Sequence, residues 1–210
     1  MEDAQVSASV PRVARTVRVV AAAVAAFLLL SAPAHAHLVQ SGFGEFYDGI
    51  VHLLVTPADL LMVLALGLLA GQCGKPAARR AMLALPAGWL VGSLAAAILA
   101  PSRELPLATT VSFATLGMLV AANPTLAASL VGALGVAVGA LHGFASGGTS
   151  AAGGLGLAGA TLAIFVLVTL IAALAASRSA LWQRVVLRVA GSWIAAIGLL
   201  MLGWILRSRA

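Results

Sequence analysis

Apolar residues run through this chain in long, nearly uncharged blocks separated by short polar segments. Six blocks fall at about 50–71, 81–100, 105–122, 125–142, 155–176 and 185–206. A helix rising 1.5 Å per residue needs about 20 residues to cross a hydrocarbon layer of about 30 Å. The blocks have that length, and none shows the short alternating segments of a membrane barrel strand. The pattern predicts an all-α, polytopic membrane protein with six transmembrane helices. A shorter apolar run at 19–30 follows Arg12, Arg15 and Arg18 and is followed by Ala34-His35-Ala36. Basic start, short apolar middle and small-residue ending read as a cleavable signal peptide. Two segments follow: 1–36 as signal peptide and 37–210 as a six-helix transmembrane domain. If the first segment is retained, it forms a seventh helix with its basic end in the cytoplasm.

Composition sharpens this picture. Of 210 residues, 62% are hydrophobic and 9% charged, with mean hydropathy +1.09, which excludes an ordinary soluble domain. The net charge of +6 is spread over short loops and forms no basic patch, so it argues for topology and against nucleic acid. Lys75, Arg79 and Arg80 follow the first block, and Arg178, Arg184 and Arg188 lie between the fifth and sixth. The positive-inside rule places that face in the cytoplasm and the mature N-terminus in the periplasm, as expected for the inner membrane of a bacterium. The single Cys73 excludes an internal disulfide and a cysteine-pair metal motif.

Small residues mark where helices approach closely. Gly88 and Gly92 lie in the second block, and Gly135, Gly139, Gly143 and Gly147 stripe the fourth at spacing four. The stripe marks the fourth span as central and predicts packing rather than chemistry. Thr56-Pro57 and Asn123-Pro124 each open an apolar block, a faint sign of inverted halves. Trp89, Trp182, Trp193 and Trp204 are expected as interfacial anchors. The Gly- and Ser-rich stretch 143–154 reads as a mobile external connection.

The few ionisable residues near the blocks need an explanation, because such groups are costly in hydrocarbon unless paired, hydrated or bound to metal. His37, Asp48, His52 and His142 all fall on the expected outer side. His37 becomes the mature N-terminus on cleavage, where amine and imidazole can chelate together; the alternative is a frayed end. Asp48 and His52 stand four apart, on one face of a helix. They suit one metal ion, or Asp48 orients His52, or the two are simply hydrogen-bonded. Thr56-Pro57-Ala58-Asp59 reads as a helix start, with Thr56 as cap and Asp59 favoured by the helix dipole. Asp59 is also a secondary ligand candidate. The break at Pro57 makes 46–55 a separate or re-entrant piece, which favours a permeation path. Imidazole and carboxylate together suit nickel, cobalt, zinc or copper(II).

These residues resemble the HupE/UreJ family of hydrogenase and urease accessory nickel permeases. The resemblance rests on Gly42-Phe43-Gly44-x-Phe46-Tyr47-Asp48-Gly49-Ile50-x-His52-Leu53-Leu54-x-Thr56-Pro57-x-Asp59-Leu60-Leu61 and on Leu141-His142-Gly143-Phe144-Ala145-Ser146-Gly147-Gly148-Thr149. The second stretch carries Ser146 and Thr149 where the family pattern has a His and a Glu, and in the first, three residues separate Asp48 from His52. The resemblance implies uptake of a divalent cation, nickel or cobalt with zinc as an alternative, from periplasm to cytoplasm, in support of hydrogenase or urease maturation. It implies no permanently bound cofactor, and metalloenzyme accessory proteins as partners besides the lipid bilayer. Gly74-Lys75 lacks the upstream glycine of a phosphate loop, so transport would follow the membrane potential or depend on a partner. Two other classes stand beside it: a non-transporting membrane accessory protein, and an intramembrane serine protease using Ser146 with His52. The second is disfavoured because neither of the last two blocks supplies a histidine.

Overall fold

The computed structural model describes residues 41–99, 105–147, 154–178 and 180–208. The predicted signal peptide, its expected cleavage site and His37 lie outside the described residues. Those described form seven helices and no strand: α1 (Glu45–Val55), α2 (Pro57–Gln72), α3 (Lys75–Leu99), α4 (Pro106–Ala122), α5 (Ala128–Gly147), α6 (Gly154–Ala176) and α7 (Leu181–Arg207). Four of them, α3, α5, α6 and α7, are each long and apolar enough to cross a membrane, and α1 with α2 makes a fifth if the bent pair is one span. Helix α4 is apolar but has 17 residues.

The first apolar block is broken, as Pro57 suggests. Proline lacks the N–H that would bond to the Leu53 carbonyl, and its ring crowds that carbonyl. Thr56 is extended (φ −91°, ψ 100°), the conformation favoured before proline, and α1 and α2 meet at 77°. Thr56 does stand at the cap position of α2, but its hydroxyl makes no capping bond. Asn123 likewise closes α4 in the left-handed conformation (φ 54°) instead of opening α5, which starts at Ala128, so the likeness to Thr56-Pro57 does not extend to structure.

Helix α2, not the glycine-striped α5, is the central helix. Its sequence is apolar on every side, and such a helix is stable when surrounded. Met62, Val63 and residues 65–72 are buried, and α2 touches all six other helices. The glycine stripe instead fastens α5 to α3. A Cβ on Gly92 would collide with the Ala140 carbonyl, and one on Gly143 with the Trp89 carbonyl. The two backbones therefore touch, and Ser93 Oγ donates to the Gly143 carbonyl at 3.1 Å. This contact buries Trp89 to 2% exposure, correcting its assignment as an anchor, whereas Trp182, Trp193 and Trp204 are each at least 66% exposed.

At the end where α2, α4 and α6 finish, arginines hold the last carbonyls, which have no partner within their helices. Arg178 donates to the carbonyls of Gly71 (3.1 Å), Gln72 (2.7 Å) and Ala175 (2.9 Å), tying α6 to α2. Arg188 Nε donates to the Ala121 carbonyl at the end of α4, at 2.8 Å. Replacing Arg178 by alanine is expected to cost about 2 kcal/mol, the range for hydrogen bonds from a charged donor. Thermal unfolding in detergent checks this; Arg178→Lys, which offers one nitrogen where the guanidinium donates from two, is expected to recover less than half.

Candidate functional site

At the opposite end, four side chains from three helices form a buried polar chain. Asp59 sits in the first turn of α2 and is 2% exposed; His142, five residues from the end of α5, is fully buried. His142 Nδ1 lies 2.7 Å from Asp59 Oδ1. Ser146, one turn beyond His142, donates from Oγ to Asp59 Oδ2 at 2.9 Å. Ser112 of α4 completes the chain, its Oγ 2.7 Å from His142 Nε2.

The proton positions follow from counting donors. Ser112 Oγ also lies 2.7 Å from the Thr109 carbonyl, which can only accept, so the hydroxyl proton goes there and Ser112 accepts from His142 Nε2–H. One proton is then shared between His142 Nδ1 and Asp59 Oδ1. On either atom it leaves the pair neutral overall, and every polar atom of the pair has a partner, which is the condition for burial in an apolar bundle. The helix ends add to this: the positive end of α2 faces the carboxylate of Asp59, and the negative end of α5 lies at His142.

Asp59 thus does more than sit favourably at the start of α2. The dipole preference holds, and its carboxylate also reaches across to α5. The segment 143–147 is not a loop: α5 continues to Gly147, and only that continuation carries Ser146 to Asp59. The other predicted site residues are elsewhere. Asp48 accepts from the Ser41 backbone N–H, and no hydrogen bond joins it to His52. The Nε2 of His52 is buried without a hydrogen-bond partner, as is Thr56 Oγ1 one turn on. Among the described residues no three His, Cys, Asp or Glu side chains gather as a metal-holding group, so Asp48, His52 and His142 do not form one constellation. The 77° bend sets α1 on a different course from α2, and α1 packs on α6 instead, with Gly49 against the Gly156 carbonyl.

Ser112 escaped sequence reasoning, being one of several hydroxyls in an apolar helix. The usable signal was His142 and Ser146 at i, i+4, two polar side chains on one face of a glycine-rich helix.

The order Ser112–His142–Asp59 is that of a nucleophile relay, but acyl transfer also needs free donors for the developing oxyanion. Ser112 lies within α4, where the neighbouring N–H groups are held in the helix ladder. Ser146 donates to the carboxylate of Asp59. Ser146→Ala should leave Asp59 Oδ2 short of a donor and lower stability by about 1–3 kcal/mol. Because Ser112 contacts His142 Nε2 directly and Ser146 donates to Asp59, this variant is expected to retain more function than Ser112→Ala, as a comparison of the two at matched membrane levels will show.

A bundle of apolar helices with a buried carboxylate–imidazole pair beside a broken helix defines a membrane-type helical protein with a polar site inside it. The family model described as HupE / UreJ protein matches residues 25–201, and the chain belongs to that family. Neither the curated proteins nor the solved structures provide a match.

Proposed function

We propose that the protein is a divalent-cation permease of the bacterial inner membrane, carrying nickel or cobalt inward for hydrogenase or urease maturation. The reading includes six spans, with α1 and α2 as one and α4 as another, and a cleaved signal peptide. The positive-inside rule then puts the Arg178 end in the cytoplasm and the Asp59–His142 pair toward the periplasm. The observation that carries the proposal is this buried pair, 2.7 Å apart, one turn past the break between α1 and α2.

The cation is cargo, and the residues act on it in sequence. Asp48, and His37 at a processed N-terminus, attract it at the outer mouth, and His52 supplies an imidazole nitrogen with no competing hydrogen bond. At the inner station the cation takes the place of the proton between His142 Nδ1 and Asp59 Oδ1, with the Ser146 hydroxyl as a further oxygen. Stations of one to three ligands suit passage, since an ion held by a full cage would not leave. Imidazole with carboxylate favours late divalent metals over magnesium or calcium.

A second reading, a non-transporting membrane accessory protein that docks maturation partners, draws on the lack of a three-ligand group among the described residues. Accumulation of labelled nickel in cells lacking their own importer separates the two. The permease predicts saturable accumulation, reduced by cobalt and lost with His52→Ala or His142→Ala. No accumulation by a correctly inserted protein would overturn it in favour of the accessory reading.

A further inference from the structure

At the Arg178 end, α3 and α6 leave a groove of about 300 Å³ on the outside of the bundle. Lys75 and Arg79, from the first turns of α3, stand at its rim. Below them the wall is apolar, formed by Met82 and Ala173 among others. Its hydroxyls are already satisfied within their own helix: Thr169 Oγ1 donates to the Phe165 carbonyl and Ser177 Oγ to the Leu174 carbonyl.

Among the described residues no acidic side chain pairs with the two cations. They occupy the N-terminal turns of a helix, where the dipole favours anions, and the first turn of α3 holds no acidic residue. The sequence beyond Asp59 contains a single carboxylate side chain, Glu104. Arg178 and Arg188, at the same end, are bound to helix carbonyls, but Lys75 and Arg79 are exposed. A cationic rim over an apolar groove facing outward from a membrane bundle complements a molecule with one anionic end and an apolar length.

We infer that this groove binds an anionic phospholipid, its phosphate against Lys75 and Arg79 and an acyl chain along the α3–α6 wall. This uses the same electrostatics that draw juxtamembrane basic residues to acidic headgroups. It differs from the general positive-inside bias by being a single saturable site.

The test is native mass spectrometry of the purified full chain in neutral detergent, titrated with phosphatidylglycerol or phosphatidylcholine. One phosphatidylglycerol is expected to be retained in preference to phosphatidylcholine. Its affinity should fall roughly thirtyfold in Lys75→Gln/Arg79→Gln. It should fall as well in Ala173→Trp, which fills the groove without changing charge, and hold in Arg184→Gln, which removes a cation from the same end. Inorganic phosphate should not displace it. Equal retention of phosphatidylcholine, an equal loss in Arg184→Gln, or displacement by inorganic phosphate would each overturn the proposal; the last would mean an anion site without a lipid.

Discussion

Replacing either Asp59 with asparagine or His142 with glutamine is expected to abolish cation uptake and to destabilise the bundle, and combining the two to restore most of the stability but none of the uptake. Each single change leaves an ionisable partner buried without its counterpart. Breaking a buried pair in this way costs about 3–5 kcal/mol. For a chain of this size that is a fall in unfolding midpoint of roughly 6–20 °C. In the double variant two neutral amides face each other where the 2.7 Å contact now is, and each can donate and accept. Neither the negative charge nor the imidazole nitrogen that a divalent cation needs remains. Stability and transport therefore separate, and a purely structural pair would not separate them. Unfolding midpoints in detergent beside uptake at matched expression provide the check.

The second large effect lies in the α3–α5 seam. Gly92→Leu is expected to prevent assembly of the site, because even the first carbon of the new side chain meets the Ala140 carbonyl. The helices must move apart along the contact that also includes Gly88, Gly139 and Gly143. Overpacking of this kind costs about 3 kcal/mol at the upper end of its usual range. Here it also displaces His142, which neighbours Gly143 in sequence, from Asp59. Gly203→Leu is the matched control, since nothing lies within 4 Å of a Cβ there. Size-exclusion profiles and protease resistance of the two variants should diverge, with Gly203→Leu behaving like the unaltered protein.

The positions of the long helices were legible in the sequence because hydropathy over about 20 residues reports on the solvent of a whole element, whatever its neighbours do. The break at Thr56 was legible for a covalent reason, the missing proline N–H. What periodicity does not contain is rotation. Asp59 and His142 are 83 residues apart, and whether they face each other depends on how α2 and α5 turn about their axes. That is decided by the glycine contacts of α5 with α3 and by the burial of α2 on all sides. The same contacts put Trp89 inside, against the prior that tryptophans sit at span ends. The end of α5 was misplaced because a run of Gly, Ser and Ala reads as loop by composition, whereas in an apolar surrounding the backbone satisfies its polar groups by remaining helical. His52 and Asp48 were rightly seen as sharing one short helix. Their relation to His142 depended on a 77° bend that the proline announced but did not measure.

The most direct measurement is uptake of labelled nickel into proteoliposomes containing only the purified full chain, compared with the Asp59→Asn/His142→Gln double variant at equal reconstitution. The account predicts saturable entry with the unaltered chain and background entry with the variant. Equal entry with both would contradict the Asp59–His142 pair as the station the cation passes through, and no entry with either would contradict transport by this chain alone.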